Sequence, residues 1–296
     1  AKVKYPPTDW DDKSWTWDAY VKLGKKLTKN YGNINKAQFG GNANVVNSNL
    51  EFVPGLWGHD VWPKGAFDTG FADSVSVTDP KSIQAFQAYH DLIYKDKVAP
   101  NPSTAAALDQ LGGAFSTGRM AMAIDGGWGH WSYKALIDDP NGFCWGAAPL
   151  PMGSPDAKMR ATIFTDPWAI TANMSEDETN LAWTFVKFLV SPEQAAKYTE
   201  TTGTPPTQTA LLKDYYKQFS KCMKPEDMKK VFEGAFTHGR ESSNHLMVKW
   251  DALNQIWSNN LTPYWSKANA DTKQVLQTIQ DQTTNKLQSI KQEEGE

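Results

Sequence analysis

The chain has 296 residues, 40% of them hydrophobic and 21% charged, with a formal net charge of -3. That length buries a substantial core and is a prior for two domains, and the absence of Lys or Arg runs excludes nucleic acid or an acidic membrane surface as an implied partner. The longest apolar run, MAMAI at 120–124, falls far short of the ~20 residues that span a bilayer.

In chain order, Thr16 caps a helix that carries Trp17, Tyr20, Val21 and Leu27 on one face and closes at NYG, 30–32. Residues 38–78 read as a long irregular stretch. Asp79 and Pro80 then start a helix bearing Ile83, Phe86, His90 and Ile93. Alternation places strands at 119–125, 143–150 and 161–172, with a helical segment between the first two; Met120, Met122 and Ile124 share the buried face of the first. Two S-x-x-E/Q capping boxes, Ser175 with Glu178 and Ser191 with Gln194, open helices expected to bury Leu181, Phe185, Phe188 and Leu189, then Ala195 and Ala196. Gly203, Pro205 and Pro206 stop the second. From Pro225 on the pattern is helical, and only the KQEEGE tail reads as disordered. Strands alternating with helices ahead of a helical tail argue an α/β or α+β fold class. The opening AKVKYPPTDW carries no initiator Met, signal peptide or first strand, as though the chain began in a loop of a larger protein.

Cys144 and Cys222 lack CxxC or His-rich company, so no metal or other cofactor is expected, and two buried thiols are favoured over a disulfide. The aromatic load is the unusual number: thirteen Trp, ten Tyr and thirteen Phe in a chain of mean hydropathy -0.56. A surplus of flat apolar rings set among Asp, Asn and Gly fits a site for sugars, whose C–H faces lie on aromatic rings while their hydroxyls take hydrogen bonds.

FSTGRMAMAIDGGWGHWSY, 115–133, concentrates these features. Gly126 and Gly127 are expected to permit positive φ and close backbone approach, Asp125 to accept hydroxyl hydrogen bonds or cap a helix, and Trp128 to present its ring at the turn. In the long loop, Trp57, His59, Asp60 and Trp62 favour binding over packing. Asp166 beside Pro167, with Trp168, is a ligand acceptor or an Asx turn, and Arg240 binds a sugar hydroxyl or an acidic substituent or, more simply, is a solvated charge.

TWDAYVKLGKKLT at 16–28, FSTGRMAMAIDGGW at 115–128, WGAAPLPMG at 145–153 and WTFVKFLVSPEQAAKY at 183–198 together resemble the extracellular solute-binding proteins of ABC importers, in particular the carbohydrate-binding, maltodextrin-type group. The resemblance implies a type II, two-lobe periplasmic-binding-protein-like fold that here lacks much of the first lobe. Residues 1–170 and 213–296 would then form the second lobe, and 171–212 would complete the first. It implies aromatic ligand contacts at Trp128, whose alternative is a place in the core, at Trp250, whose helical spacing to Leu253 and Trp257 equally allows a core role, and, more loosely, at Phe52. It also implies an oligosaccharide ligand, ABC permease subunits as partners, a companion chain carrying the absent segment, and a periplasmic or extracellular location, with a lipid anchor as one means of attachment. The rival from composition is a glycoside hydrolase using Asp125 and Asp166 as its two carboxylates; the resemblance instead implies a receptor with no catalytic residue.

Overall fold

The computed structural model describes residues 2–43, 50–164 and 167–295. Its helices are α1 Trp17–Leu27, α2 Phe52–Gly55, α3 Ala66–Thr69, α4 Pro80–Tyr94, α5 Pro102–Gln110, α6 Gly129–Asp138, α7 Glu176–Leu189, α8 Pro192–Thr202, α9 Leu212–Lys217, α10 Pro225–Thr237, α11 Trp250–Ser266 and α12 Thr272–Glu294. Two short strands, β1 Ala161–Ile163 and β2 Gly239–Glu241, pair in parallel with Ala161 opposite Gly239.

The chain forms two compact units. One gathers Ala1–Ile124, Pro149–Phe164 and Gly234–Glu296, and the other Asp125–Ala148 and Thr165–Glu233. These boundaries differ from the expected breaks near 170 and 212: residues 125–148 and 213–233 join 171–212 in the second unit.

Several helix starts follow their local chemistry. Thr16 accepts from the Ala19 amide, Asp79 accepts from Lys81 ahead of Pro80, and Ser175 and Glu178 cap each other's backbone in a complete box. Ser191 departs from this pattern. Its side chain caps nothing and its hydroxyl donates back to the Phe188 carbonyl, so the turn joining α7 to α8 takes the group that a capping box would have used.

The strand expectations hold only in part. Met120 and Ile124 are buried and Met122 packs on the core, as alternation requires, but the segment makes one isolated bridge, Phe39 with Met120, rather than a ladder. Among the described residues, 143–150 forms no strand and 161–172 is strand only at 161–163. An extended segment becomes a strand only when a partner accepts its amides.

In the first unit α11 packs on α12, and both α2 and α12 pack on α4, around an aromatic core. The ring of Trp17 lies 4.7 Å from that of Tyr89 and 5.1 Å from that of Trp57, and Trp62 meets Trp257 at 5.8 Å. The Trp257 indole donates to Thr283 within this core, which satisfies its one polar atom. The KQEEGE tail is helical through Glu294 instead of disordered: Lys249 holds the Glu293 and Glu294 carboxylates at 2.7 and 2.8 Å, and Lys291 reaches Asp73.

In the second unit Ile137, Tyr215, Tyr216, Phe219 and Met228 form a smaller core, with Trp145 and Phe232 against it. Cys144 and Cys222 are joined in a disulfide with Cα atoms 5.1 Å apart, which corrects the expectation of two thiols. Trp145 packing on Phe219 and the Ala147 amide meeting the Met223 sulfur lay the two segments side by side, a long-range register that no local pattern encodes. The apolar residues of α7, which their spacing would bury, stay exposed: the helix has no buried residue, and Leu181, Phe185 and Phe188 are 72%, 56% and 53% exposed, the apolar patch expected of a chain that lacks much of the first lobe. Among the described residues, no helix is long and apolar enough to cross a membrane.

Candidate functional site

The turn at 125–128 belongs to the second unit and leads directly into α6. One face of α6 is anchored from below. His130 shares a hydrogen bond with the Tyr215 hydroxyl, and its ring stacks on Trp145 at 5.9 Å and meets Phe219 and Phe232 at 5.4 and 5.9 Å. Burial among these rings pushes the imidazole pKa down to about 4, which keeps it neutral. The Trp145 indole donates to the Tyr133 carbonyl, and Lys134 reaches the Glu200 carbonyl on α8.

On this base the turn is exposed and ordered. Asp125 does not cap α6. Its carboxylate accepts from the Gly126 amide at 2.8 Å and the Tyr133 hydroxyl at 2.9 Å, leaving lone pairs directed at solvent. Neither Gly126 nor Gly127 has positive φ, so the expected left-handed backbone is corrected; what the glycines supply is room. A Cβ on Gly126 would lie 2.4 Å from the Trp128 ring, which folds back over the bare backbone there. Gly127 is open, with nothing nearer to such a Cβ than Pro205 at 4.0 Å. Trp128 is 38% exposed and Trp168, in the same unit, 65%. An exposed indole beside a carboxylate and bare glycine backbone offers an apolar face and hydrogen-bond acceptors together, the combination that a polyhydroxylated ligand requires.

The other candidates lie in the first unit and divide differently. Trp57 is 1% exposed, covered by Trp17 and by Gly153, where a Cβ would fall 2.2 Å from its ring; Trp62 is 5% exposed, against Phe67 and Trp257. Both expectations of ligand contact are corrected: these loop aromatics have no free face because the irregular stretch 50–78 wraps the core. Asp60 accepts from the Trp62 amide and lies 3.7 Å from Arg240. Arg240 is no solvated charge. It donates to the His59 and Met159 carbonyls, and burial holds its pKa below the ordinary value. Phe52, first residue of α2, is half-buried against the core; Trp250, first residue of α11, is half-buried with its indole donating to Ser243. Asp166 lies outside the described residues. Sequence reasoning missed His130 and Tyr133, although their spacing with Ile137 along α6 is the signal of a face turned toward a core, and it missed Glu51.

A model of the bacterial extracellular solute-binding protein family matches residues 4–224. The chain belongs to this family. Among solved structures, this solute-binding protein is similar to the maltose/maltodextrin-binding domain of Bdellovibrio bacteriovorus bound to maltotriose, with TM-score 0.71 and 18% identity over 97% of this chain and 68% of that one. It is also similar to the substrate-binding protein Lmo0181 of Listeria monocytogenes in complex with cycloalternan (TM-score 0.66, 19% identity, 96% and 66%). A third is UgpB of Mycobacterium tuberculosis in complex with glycerophosphocholine (TM-score 0.68, 20% identity, 93% and 63%). The fold is thus of the type II periplasmic-binding-protein kind, and the chain spans about two thirds of the length of these proteins.

Two predictions follow from the turn and its base. Gly126→Ala displaces the Trp128 ring, read as a shift of the Trp128 indole signal in NMR, whereas Gly127→Ala leaves it in place; equal shifts in both variants would contradict the packing described. His130 binds its proton near 6.5 in the unfolded chain and near 4 when folded, so unfolding takes up a proton between these values. Stability present above pH 6.5 therefore declines as pH falls toward 4, by on the order of 3 kcal/mol. Urea melts of wild type and His130→Gln between pH 7.5 and 4.5 check this, since the variant loses that component of the slope.

Proposed function

We propose that this protein is the ligand-binding component of a carbohydrate ABC importer, a receptor located in the periplasm or at the cell exterior that binds an oligosaccharide and delivers it to membrane permease subunits. The observation that carries the reading is the turn at 125–128: an exposed indole held over glycine, beside a carboxylate, on a helix locked by an aromatic core. Sugar-bound relatives of the same fold support it. In the second unit Trp128 supplies the stacking face, Asp125 and the Gly126–Gly127 backbone the polar contacts, and Trp168 further apolar surface; in the first unit, taken by itself, Trp250 and Phe52 are candidate apolar contacts. The Cys144–Cys222 disulfide suits an oxidising compartment. Catalysis is no part of this function. Retaining or inverting hydrolysis needs two carboxylates facing one glycosidic bond, whereas the receptor reading asks of Asp125 only that its remaining lone pairs accept from ligand hydroxyls.

Maltotriose is the first probe. Trp128→Ala removes about 100 Å² of apolar contact, roughly 2–3 kcal/mol, so calorimetric titration should show Kd rising thirty- to two-hundred-fold with little change in the ligand-free melting temperature. Unchanged affinity with a sharply lowered melt would make the ring architecture only. Binding of glycerophosphocholine in place of any sugar would move the ligand to another class, and released reducing ends would overturn the receptor reading.

On this reading 171–212 belongs to the first lobe, and a companion polypeptide completes that lobe over the apolar face of α7. Leu181, Phe185 and Phe188 form one stripe at i, i+4 and i+7, too apolar to face water unaided, in a chain that spans about two thirds of the length of its solved relatives. The isolated chain should bind a hydrophobic dye and self-associate without a defined stoichiometry. Leu181→Glu with Phe185→Glu should abolish both while leaving the melting temperature within a few degrees. A discrete dimer that no longer binds dye would assign the face to a second copy, and a dye-silent monomer would remove the companion.

A further inference from the structure

Glu51 is a carboxylate with no role in the turn at 125–128, and it is 4% exposed at the residue before α2. Ionised carboxylates are seldom buried so completely, because desolvation costs several kcal/mol unless hydrogen bonds offset it. Here the donors come from two distant parts of the first unit. Oε1 accepts from the Ser242 hydroxyl at 2.7 Å and the Ser243 amide at 3.1 Å, and Oε2 accepts from the same amide at 3.2 Å and the Trp62 indole at 3.0 Å. Arg240, three residues before Ser243, adds a favourable charge, itself balanced by Asp60.

The network ends on a half-buried ring. The Ser243 hydroxyl accepts from the Trp250 indole at 3.1 Å, and the Ser242 hydroxyl also receives the Asn244 amide, so the carboxylate sets the turn that presents Ser243 to Trp250. Trp250 needs such a device. It is the first residue of α11, where intrahelical bonds do not yet constrain the chain, and it follows Lys249 in the left-handed region at φ 52. Hydrophobic packing alone would hold a core indole by its faces, whereas a ring with one side open needs its N–H tied to stay in one rotamer.

We propose that Glu51 is a positioning residue that, through Ser242 and Ser243, holds the Trp250 indole in a single orientation for the ligand. The ligand part of this statement rests on the receptor reading above; the orientation part does not. Buried polar networks of this kind give definition more readily than stability, since a well-packed apolar replacement is often as stable. Glu51→Gln is therefore a discriminating change: it keeps the volume but turns an amide N–H toward donors that expect an acceptor.

The test uses the full chain with indole N–H signals observed by NMR, Trp250 being assigned from its loss in Trp250→Phe. Wild type should give one sharp Trp250 signal, protected from exchange. Glu51→Gln should shift or broaden both Trp62 and Trp250, and Ser243→Ala Trp250 alone, with melting temperatures close to wild type for Ser243→Ala. Titration with maltotriose then reads the consequence: Ser243→Ala weakens binding about five-fold, the worth of one net hydrogen bond, and has no further effect when Trp250→Phe is already present. A Trp250 signal unmoved by both Glu51→Gln and Ser243→Ala overturns the proposal. So does a moved signal with unchanged maltotriose affinity, which would leave Glu51 a purely structural group. If wild type binds no maltotriose while the Trp250 signal moves as expected, the receptor reading fails and the ordering of Trp250 by Glu51 stands.

Discussion

The burial of large aromatic side chains is the constraint on which this structure depends. In the first unit Trp17, Trp57, Trp62, Tyr89, Trp257 and Trp265 fill one core, each ring touching another, and the irregular stretch after Leu50 is ordered because it carries Trp57 and Trp62 into that core. In the second unit His130, Trp145, Tyr215 and Phe219 do the same work for α6. Rings that find no place in either core become the informative ones. In the second unit Trp128 and Trp168 remain on the surface, and the Trp128 ring packs over the bare backbone of Gly126.

This explains which parts of the fold were legible. Helix starts are local events, and Thr16, Asp79 and the Ser175–Glu178 pair announce them within four residues. The hydrophobic faces of α4, α11 and α12 likewise follow from spacing alone: Phe86, Trp257, Leu276 and Ile290 are buried as the 3.6-residue period requires. Strands are non-local. Residues 119–124 have the alternation of a strand and bury the expected face, yet they meet only a single bridge, because pairing depends on another segment that the pattern does not name. The same limit hid the disulfide, whose two cysteines are brought together by Trp145 and Met223 from opposite ends of the unit.

The candidate site was legible where backbone chemistry is unusual and illegible where side chains compete for the core. Two glycines before a tryptophan mark a place where a ring and a main chain approach closely, although the reason is steric room and not positive φ. Trp57 and Asp60 looked like a binding loop because aromatic and acidic residues on irregular backbone serve binding and packing equally well in sequence. Only burial separates the two: it assigns Trp57 to the core, whereas Asp60 stays exposed, 3.7 Å from Arg240. Glu51 left no trace in the sequence, since an isolated Glu ahead of an apolar run is ordinarily a solvated helix start; two of its partners, Ser242 and Ser243, lie about 190 residues away.

The central claim is that the turn at Asp125–Trp128 receives the flat face of a sugar ring. A crystal structure determined with maltotriose tests it most directly. The account predicts a pyranose ring lying on the Trp128 indole, with a hydroxyl donating to the Asp125 carboxylate and the Gly126–Gly127 backbone in contact. Maltotriose bound elsewhere, with the Trp128 ring still folded over Gly126 and bare of ligand, would contradict it.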